Sequence, residues 1–331
     1  MFCTLRFYQG IAIVTVLACL LSGAKLAHAQ LSVIGNWEGG TGDGWFDWQD
    51  GLNVDDPSEA GRYTFNNTIG ATIGNYSIGF TGSGYDQDLS VKLQNNYPTD
   101  PVTNHPEWRP LFFENKAFAI DITYGPYTAT QNATGGYQQM YEMDLNAPGY
   151  GFKDVFAGNA PIASTEVGFT AGVASPAQTL TLSYNYGALI GSGATQIATN
   201  ASYVEFILAT NGDSTHDNFY FDNARFYTPG DMNNDGHVDA GDIKAMELAL
   251  TNPTAYKNTY FNGNSNFVLS DLATLGDVNG DGKFNNADVQ ALSSYLIAGN
   301  GSTSTVPEPA SLTLLGFATA TLLWAARKKR K

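Results

Sequence analysis

One repeat constrains the fold of this 331-residue chain more than any other feature of the sequence. The segment from Gly230 to Asp239 recurs 46 positions later, from Gly276 to Asn285. Each copy places oxygen-bearing side chains at positions 1, 3, 5, 9 and 12 of a loop. In the first loop these are Asp231, Asn233, Asp235, Asp239 and Asp242, and in the second they are Asp277, Asn279, Asp281, Asn285 and Asp288.

This spacing predicts two calcium sites. Calcium takes six to eight oxygen ligands, and a tightly wound loop directs alternate residues toward its centre. Glycine at position 6, Gly236 and Gly282, permits the sharp turn. Position 7 supplies a backbone carbonyl, so His237 and Lys283 are predicted ligands through their main chains only.

A short amphipathic helix is predicted after each loop. Ile243, Met246 and Leu250 share one helical face in the first copy, and Val289, Leu292 and Leu296 are their counterparts in the second. Asn252-Pro253 should end the first helix, and another short helix is expected near 269–275. The sequence therefore predicts a small α-helical domain with paired calcium loops at 229–299.

The Asp at position 12, the missing first helix and the pairing of loops resemble the dockerin type I module over residues ~230–298. The resemblance implies two calcium ions and folding that depends on them. In that family, Ser or Thr at loop positions 10 and 11 often contacts a cohesin partner. Here those positions are Ala240-Gly241 and Asn286-Ala287, so calcium binding is expected but the usual cohesin contact is not.

Residues 30–228 have a different composition, rich in Gly, Thr, Asn, Tyr and Phe. Alternating stretches at 180–184 and 203–208 indicate half-buried strands, and Gly- and Asn-containing turns separate such stretches. This pattern predicts an all-β sandwich. The overall fold class is therefore multidomain, a β-sandwich followed by the helical calcium-loop domain.

The two ends of the β-region carry short motifs that resemble the galactose-binding-like jelly roll of many carbohydrate-binding modules. Asn36-Trp37-Glu38-Gly39-Gly40 with Gly44-Trp45 opens it, and 219–226, which reads FYFDNARF, closes it. The resemblance implies a jelly roll and a structural calcium held by Glu38 and Asp222. The alternative is that Glu38 is a solvated turn residue and Asp222 caps the end of a strand.

Sugar binding requires exposed aromatic rings, because pyranose C–H faces stack on them while polar side chains bond the hydroxyls. Each ring has core packing or loop anchoring as its alternative. The aromatic residues in Gly-, Asn- or Pro-rich loops are the candidate ligand-binding residues: Trp45, Trp48, Trp108, Tyr85 and Tyr97.

Both termini carry targeting signals. Arg6, an apolar run at 11–21 and Ala27-His28-Ala29 are typical of a secretory signal peptide covering 1–29. Both cysteines lie inside it, so the mature chain would hold no disulfide. After a Gly/Ser/Thr linker, 306–311 reads VPEPAS and precedes a 17-residue predicted transmembrane helix, 310–326, and a basic cluster.

That tail, within 300–331, resembles the PEP-CTERM sorting signal. The resemblance implies recognition by an exosortase-type membrane protease and transient anchoring in the inner membrane. It also implies delivery to the cell surface or extracellular matrix of a Gram-negative-type bacterium. The tail could be removed or kept as an anchor.

The charge distribution excludes some partners. Seven of the 16 basic residues lie in the signal peptide and in the last five residues, so residues 30–326 carry nine basic against 31 acidic residues. A net charge of this sign argues against nucleic acid and anionic membranes as partners, and it is compatible with divalent cations.

The sequence gives little support for catalysis. Glu142-Met143-Asp144 resembles part of the Glu-x-Asp-x-x-Glu strand of laminarinase-like hydrolases, but Ala147 stands where the second Glu belongs. No catalytic triad or zinc spacing is present. The favoured hypothesis is a non-catalytic, calcium-binding surface or matrix protein whose β-domain binds polysaccharide. A surface-displayed glycosidase or lyase and a purely structural envelope protein are the alternatives.

Overall fold

The computed structural model describes residues 32–82, 84–94, 107–155, 166–261, 267, 271–281 and 283–301. The predicted signal peptide, the transmembrane helix and the sorting tail lie outside the described residues, as does Tyr97. Within the described part of the chain, no helix is long and apolar enough to cross a membrane.

The described residues from Ser32 to Tyr227 form twelve strands and one α-helix, together with two short 3-10 helices, Pro57–Glu59 and Gly187–Leu189. The helix α1 is Trp108–Glu114. The strands are β1 (Ser32–Gly35), β2 (Phe46–Asp47), β3 (Tyr63–Asn67), β4 (Ser77–Thr81), β5 (Gly84–Gln94), β6 (Ala117–Tyr124), β7 (Gly136–Ala147), β8 (Gly151–Asp154), β9 (Val167–Phe169), β10 (Gln178–Asn185), β11 (Tyr203–Gly212) and β12 (Asn218–Tyr227).

The strands form two antiparallel sheets. In sheet A the order is β10-β6-β12-β4-β3, with β1 pairing with β12, and in sheet B it is β2-β5-β11-β7-β8, with β9 pairing with β7. Alternating residues of both sheets face one another and form a single aromatic-rich core. Phe118 of sheet A and Phe206 of sheet B, for example, have ring centroids 4.8 Å apart. The predicted all-β sandwich is confirmed.

The described residues after the sandwich form four α-helices: α2 (Ala240–Thr251), α3 (Pro253–Tyr260), α4 (Asp271–Gly276) and α5 (Asn286–Ile297). Asp239 and Asn285 are the N-caps of α2 and α5, and both form capping boxes with the residue three positions later. Asn252 ends α2 and caps α3, whose first residue is Pro253, as expected for proline in a first turn. The predicted helical domain after the sandwich is confirmed.

The helical module packs on sheet A. Ala117, Ala119 and Tyr227 project from the outer side of that sheet into the apolar core of the module. Met246 and Leu292, predicted on the inner helix faces, are fully buried in the same core. The outer side of sheet A is therefore covered at these residues, whereas the outer face of sheet B points away from the module.

Candidate functional site

The two predicted calcium loops adopt the same hydrogen-bonding pattern. In the first loop, the Asp242 carboxylate accepts the backbone N–H groups of Asn233 at 2.8 Å and Asp239 at 2.7 Å. In the second, Asp288 accepts those of Asn279 at 3.3 Å and Asn285 at 2.9 Å. The position-12 carboxylates therefore tie the start of each loop to its end.

In each loop the backbone of the first turn folds around the side chain at position 1. Asp231 accepts the N–H groups of Asp235 and Gly236, at 3.1 and 2.9 Å, and Asp277 accepts that of Asp281 at 3.0 Å. Gly236 has a φ of +84°, as its turn at position 6 requires. The backbone at position 4 is also in the left-handed region in both loops, at Asn234 and Gly280, and the repeat alone did not predict this.

The charge of the first loop fits a divalent cation. Asp231 and Asp242 are buried, and burial, followed by the neighbouring carboxylates, raises the pKa of each to about 7. Concentrated carboxylates in a shielded loop are costly unless a cation neutralises them. The oxygen donors present thus suit calcium, with Asp231, Asn233, Asp235 and Asp242 as the side chains that would hold it in the first loop.

The two residues predicted to share a calcium in the β-domain both bind one loop of the sandwich. Glu38 accepts the backbone N–H groups of Asn75 and Tyr76, at 2.6 and 2.7 Å. Asp222 accepts those of Thr72 and Ile73, at 2.6 and 2.9 Å. In this geometry their carboxylates position the segment 72–76, and a calcium ion between them stays a prediction.

Two of the candidate ligand-binding aromatic residues, Trp45 and Trp108, are wrong. Trp45 is completely buried, and its indole donates a hydrogen bond of 2.9 Å to the carbonyl of Ile34. Trp108 is also buried, at the start of α1. Gly-, Asn- or Pro-rich flanks suggested exposed loops, but the large apolar area of an indole favours burial in a core of this size. Tyr85 lies in β5, opposite Asn211 of β11.

Trp48 is exposed and lies on the outer face of sheet B, where it meets Phe152 of β8. Their ring centroids are 5.7 Å apart. β2, directly before Trp48, and β8 are opposite edges of the sheet. In a flat sheet those edges would be about 19 Å apart, at about 4.8 Å per strand. The two side chains therefore reach across the outer face, which curves toward them.

Two more exposed rings lie on the same face. Gln138 and Met140 of β7 are buried, so the alternating residues Tyr137 and Tyr141 point outward, at 37% and 42% exposure. Sequence reasoning missed both tyrosines and Phe152, although the alternation at 137–141 was a visible signal. We call Trp48, Tyr137, Tyr141 and Phe152 the aromatic surface.

Three carboxylates lie beside the aromatic surface. Asp144 and Asp154 are paired across β7 and β8, and Glu142 precedes Asp144 by two residues on the same face. Their oxygens lie within 4.8 Å of one another. Burial, followed by the charges of Glu142 and Asp154, raises the pKa of Asp144 to about 8. Asp144 is completely buried, so it does not present its carboxylate to solvent.

Comparison with known proteins identifies two segments of the chain. Residues 229–297 match the dockerin type I domain model, and residues 305–331 match the PEP-CTERM protein-sorting motif. The predicted resemblances to both are confirmed. Together the module and the motif indicate an extracellular or cell-surface protein. A comparison with curated proteins found no matching sequence.

Solved structures similar to the β-sandwich include several carbohydrate-binding modules. A TmCBM61 complex with β-1,4-galactotriose is 10% identical, covers 59% of this chain and 94% of its own, and has a TM-score of 0.31. The C-terminal family 22 module of Clostridium thermocellum Xyn10B is 13% identical, with 62% and 94% coverage and a TM-score of 0.32. CBM28, described as specific for non-crystalline cellulose, is 15% identical, with 60% and 96% coverage and a TM-score of 0.34.

Proposed function

We propose that this chain is a non-catalytic surface or extracellular-matrix protein that binds polysaccharide through the outer face of sheet B. The aromatic surface carries the proposal. Its four rings are 36–44% exposed on one face, which is a large apolar area for a protein to leave in water. Exposed rings stack on the C–H faces of sugars, while adjacent polar groups bond the hydroxyls.

The charges near these rings favour a neutral polysaccharide. Glu142, Asp154 and Glu205 place carboxylates on this face, and Lys92, which is paired with Glu205, adds a basic group. Lys153 of β8 alternates with Phe152 and Asp154 and points to the other side of the strand. Lys92 lies 3.7 Å from Glu205 and over the ring of Tyr203, so its charge is largely compensated. A uronate-rich chain would meet like charges here, which disfavours its binding.

The dockerin-like module would hold calcium in both loops and stabilise the C-terminal part of the protein. Dockerin type I domains bind calcium, and the donors of both loops suit that ion. The signal peptide and PEP-CTERM tail would direct the protein through an exosortase-type protease to the surface of a Gram-negative-type bacterium. Positions 10 and 11 of the loops do not favour a cohesin partner.

A glycan array probed with residues 30–301 tests the proposal, since this fragment keeps both domains and their contact. Binding to neutral glucans, xylans, mannans or galactans is expected, with weaker binding to alginate or pectate. Binding to none of these would contradict the polysaccharide proposal. A preference for uronates would contradict only the charge argument.

The cluster of Glu142, Asp144 and Asp154 supports the enzyme alternative, because glycosidases use paired carboxylates and acids of raised pKa. A catalytic acid must reach the glycosidic oxygen, however, and Asp144 is shielded from solvent. Incubating the same fragment with the bound polysaccharide separates the two functions. Release of reducing or unsaturated sugars, abolished by Glu142→Gln, would favour the enzyme.

A further inference from the structure

Arg225 connects the β-sandwich to the helical module. It projects from β12 on the outer side of sheet A and is almost completely buried. Its Nη1 donates to the carbonyl of Asn223 at 2.7 Å and lies 3.5 Å from Asp121 Oδ1, both in the sandwich. Its Nη2 lies 2.5 Å from Oδ1 of Asp271, the first residue of α4. A buried ion pair therefore crosses the boundary between the domains.

The helix that carries Asp271 also touches both calcium loops. The carbonyl of Leu275, near its end, accepts the N–H of Gly230 at 2.9 Å, directly before the ligand Asp231. At the same end, Asp277 begins the second loop, and its N–H donates to Ala273 at 3.2 Å. The six-residue helix α4 thus joins the start of each loop to the side chain of Arg225.

Apolar contacts reinforce this connection on the side of the first loop. Met232, at position 2 of that loop, is completely buried in the core shared with Tyr227 of β12. The Met232 carbonyl also accepts the Tyr256 hydroxyl at 2.6 Å. In the second loop, Asn279 and Asp281 are exposed. The first loop is therefore partly built into the domain boundary, and the second faces solvent.

We propose that calcium binding in the module stabilises the β-sandwich, with the Arg225–Asp271 contact as the connection. An ion that binds the folded loops stabilises whatever folds together with them. Calcium fixes the loops, the loops fix α4, and α4 holds the carboxylate that compensates the buried Arg225. Loss of that carboxylate leaves a buried charge with a weaker partner, at a cost to β12.

The tryptophans allow the two domains to be observed separately. The sequence of the module, 229–299, contains no tryptophan, while Trp37, Trp45, Trp48 and Trp108 all belong to the sandwich. With Trp324 of the tail replaced by Phe in every protein, tryptophan fluorescence reports unfolding of the sandwich. Circular dichroism at 222 nm reports chiefly the helices of the module.

The experiment is urea unfolding of the full chain with calcium or with EDTA, followed by both signals. In the parent protein, calcium should raise the urea midpoint of the fluorescence transition as well as that of the helical signal. Asp271→Asn should retain the calcium-dependent helicity but lose at least half of the fluorescence shift. Glu247→Gln, a change at an exposed position of α2, should keep both effects.

Three results would overturn the proposal. One is a fluorescence transition of the parent protein that is independent of calcium, and this measurement decides the matter even if Asp271→Asn does not fold. Another is a full fluorescence shift in a folded Asp271→Asn protein. The third is a shift that persists in Asp231→Asn/Asp277→Asn, since calcium would then act inside the sandwich, for example near Glu38 and Asp222.

Discussion

The rings of Trp48 and Phe152 lie 5.7 Å apart, although the two residues come from opposite edges of sheet B. Below them, the central strands of this sheet carry buried residues such as Ile207 and Ser90. The contact between Trp48 and Phe152 therefore covers the middle of the outer face, while both rings stay accessible to solvent. A sugar chain crossing this face would contact these rings first.

Replacing either ring should weaken polysaccharide binding without unfolding the protein. An aromatic contact is worth about 0.5–1.5 kcal/mol, which corresponds to a loss of about twofold to tenfold in affinity. Trp48→Ala and Phe152→Ala should each lie in this range by calorimetry or affinity electrophoresis. Tyr295→Ala is the matched control, because Tyr295 is an equally exposed ring on the helical module. Equal losses in all three variants would contradict the assignment.

Trp45 should behave as a core residue. It is fully buried against Trp37, with ring centroids 5.7 Å apart, and its N–H is bonded inside the fold. Trp45→Ala should lower the free energy of unfolding by about 3–5 kcal/mol, as other large truncations in protein cores do. Chemical denaturation measures this. Val173→Ala, at a surface position, should change stability by less than about 0.5 kcal/mol.

The position-12 carboxylates allow the two calcium loops to be tested one at a time. Asp242→Asn and Asp288→Asn should each weaken calcium binding at one loop by roughly tenfold or more, because even residues that only orient metal ligands have effects of this size. Calorimetric titration should then show one strong and one weak site in each variant. Two unchanged sites in either protein would show that the altered residue does not bind the ion.

The conformation of the two predicted calcium loops follows from the sequence because it depends on local spacing. Ligand positions, the turn at Gly236 and the helices that follow all lie within short segments. The sandwich was predictable as a class for a related reason, since strand alternation is also local. Neither the pairing order of twelve strands nor their curvature is encoded locally, and both decide which rings reach the surface.

The candidate ligand-binding tryptophans show most clearly that local sequence does not determine which rings are exposed. Trp45 and Trp48 are three residues apart in similar surroundings, yet one is in the core and the other is exposed. Only the pairing of β2 with β5, which fixes the two sides of the strand, separates them. Arg225 and Asp271 are 46 residues apart and belong to different domains, so no local pattern could connect them.

The stability of the sandwich should fall with rising pH because of Asp144. Burial, followed by the charges of Glu142 and Asp154, raises its pKa to about 8 in the folded protein, against about 3.9 in an unfolded chain. Between these values the folded state holds a proton that the unfolded state has released. The contribution of Asp144 is therefore complete below about pH 4 and is lost as the pH rises through about 8.

Asp144→Asn removes this titration while keeping the size of the side chain. Urea midpoints followed by tryptophan fluorescence should fall less between pH 5 and pH 9 in the variant than in the parent protein. Asp50→Asn, at an exposed position, should keep the parent's pH dependence. If the Asp144 and Asp50 variants respond to pH alike, the raised pKa of the buried carboxyl is wrong.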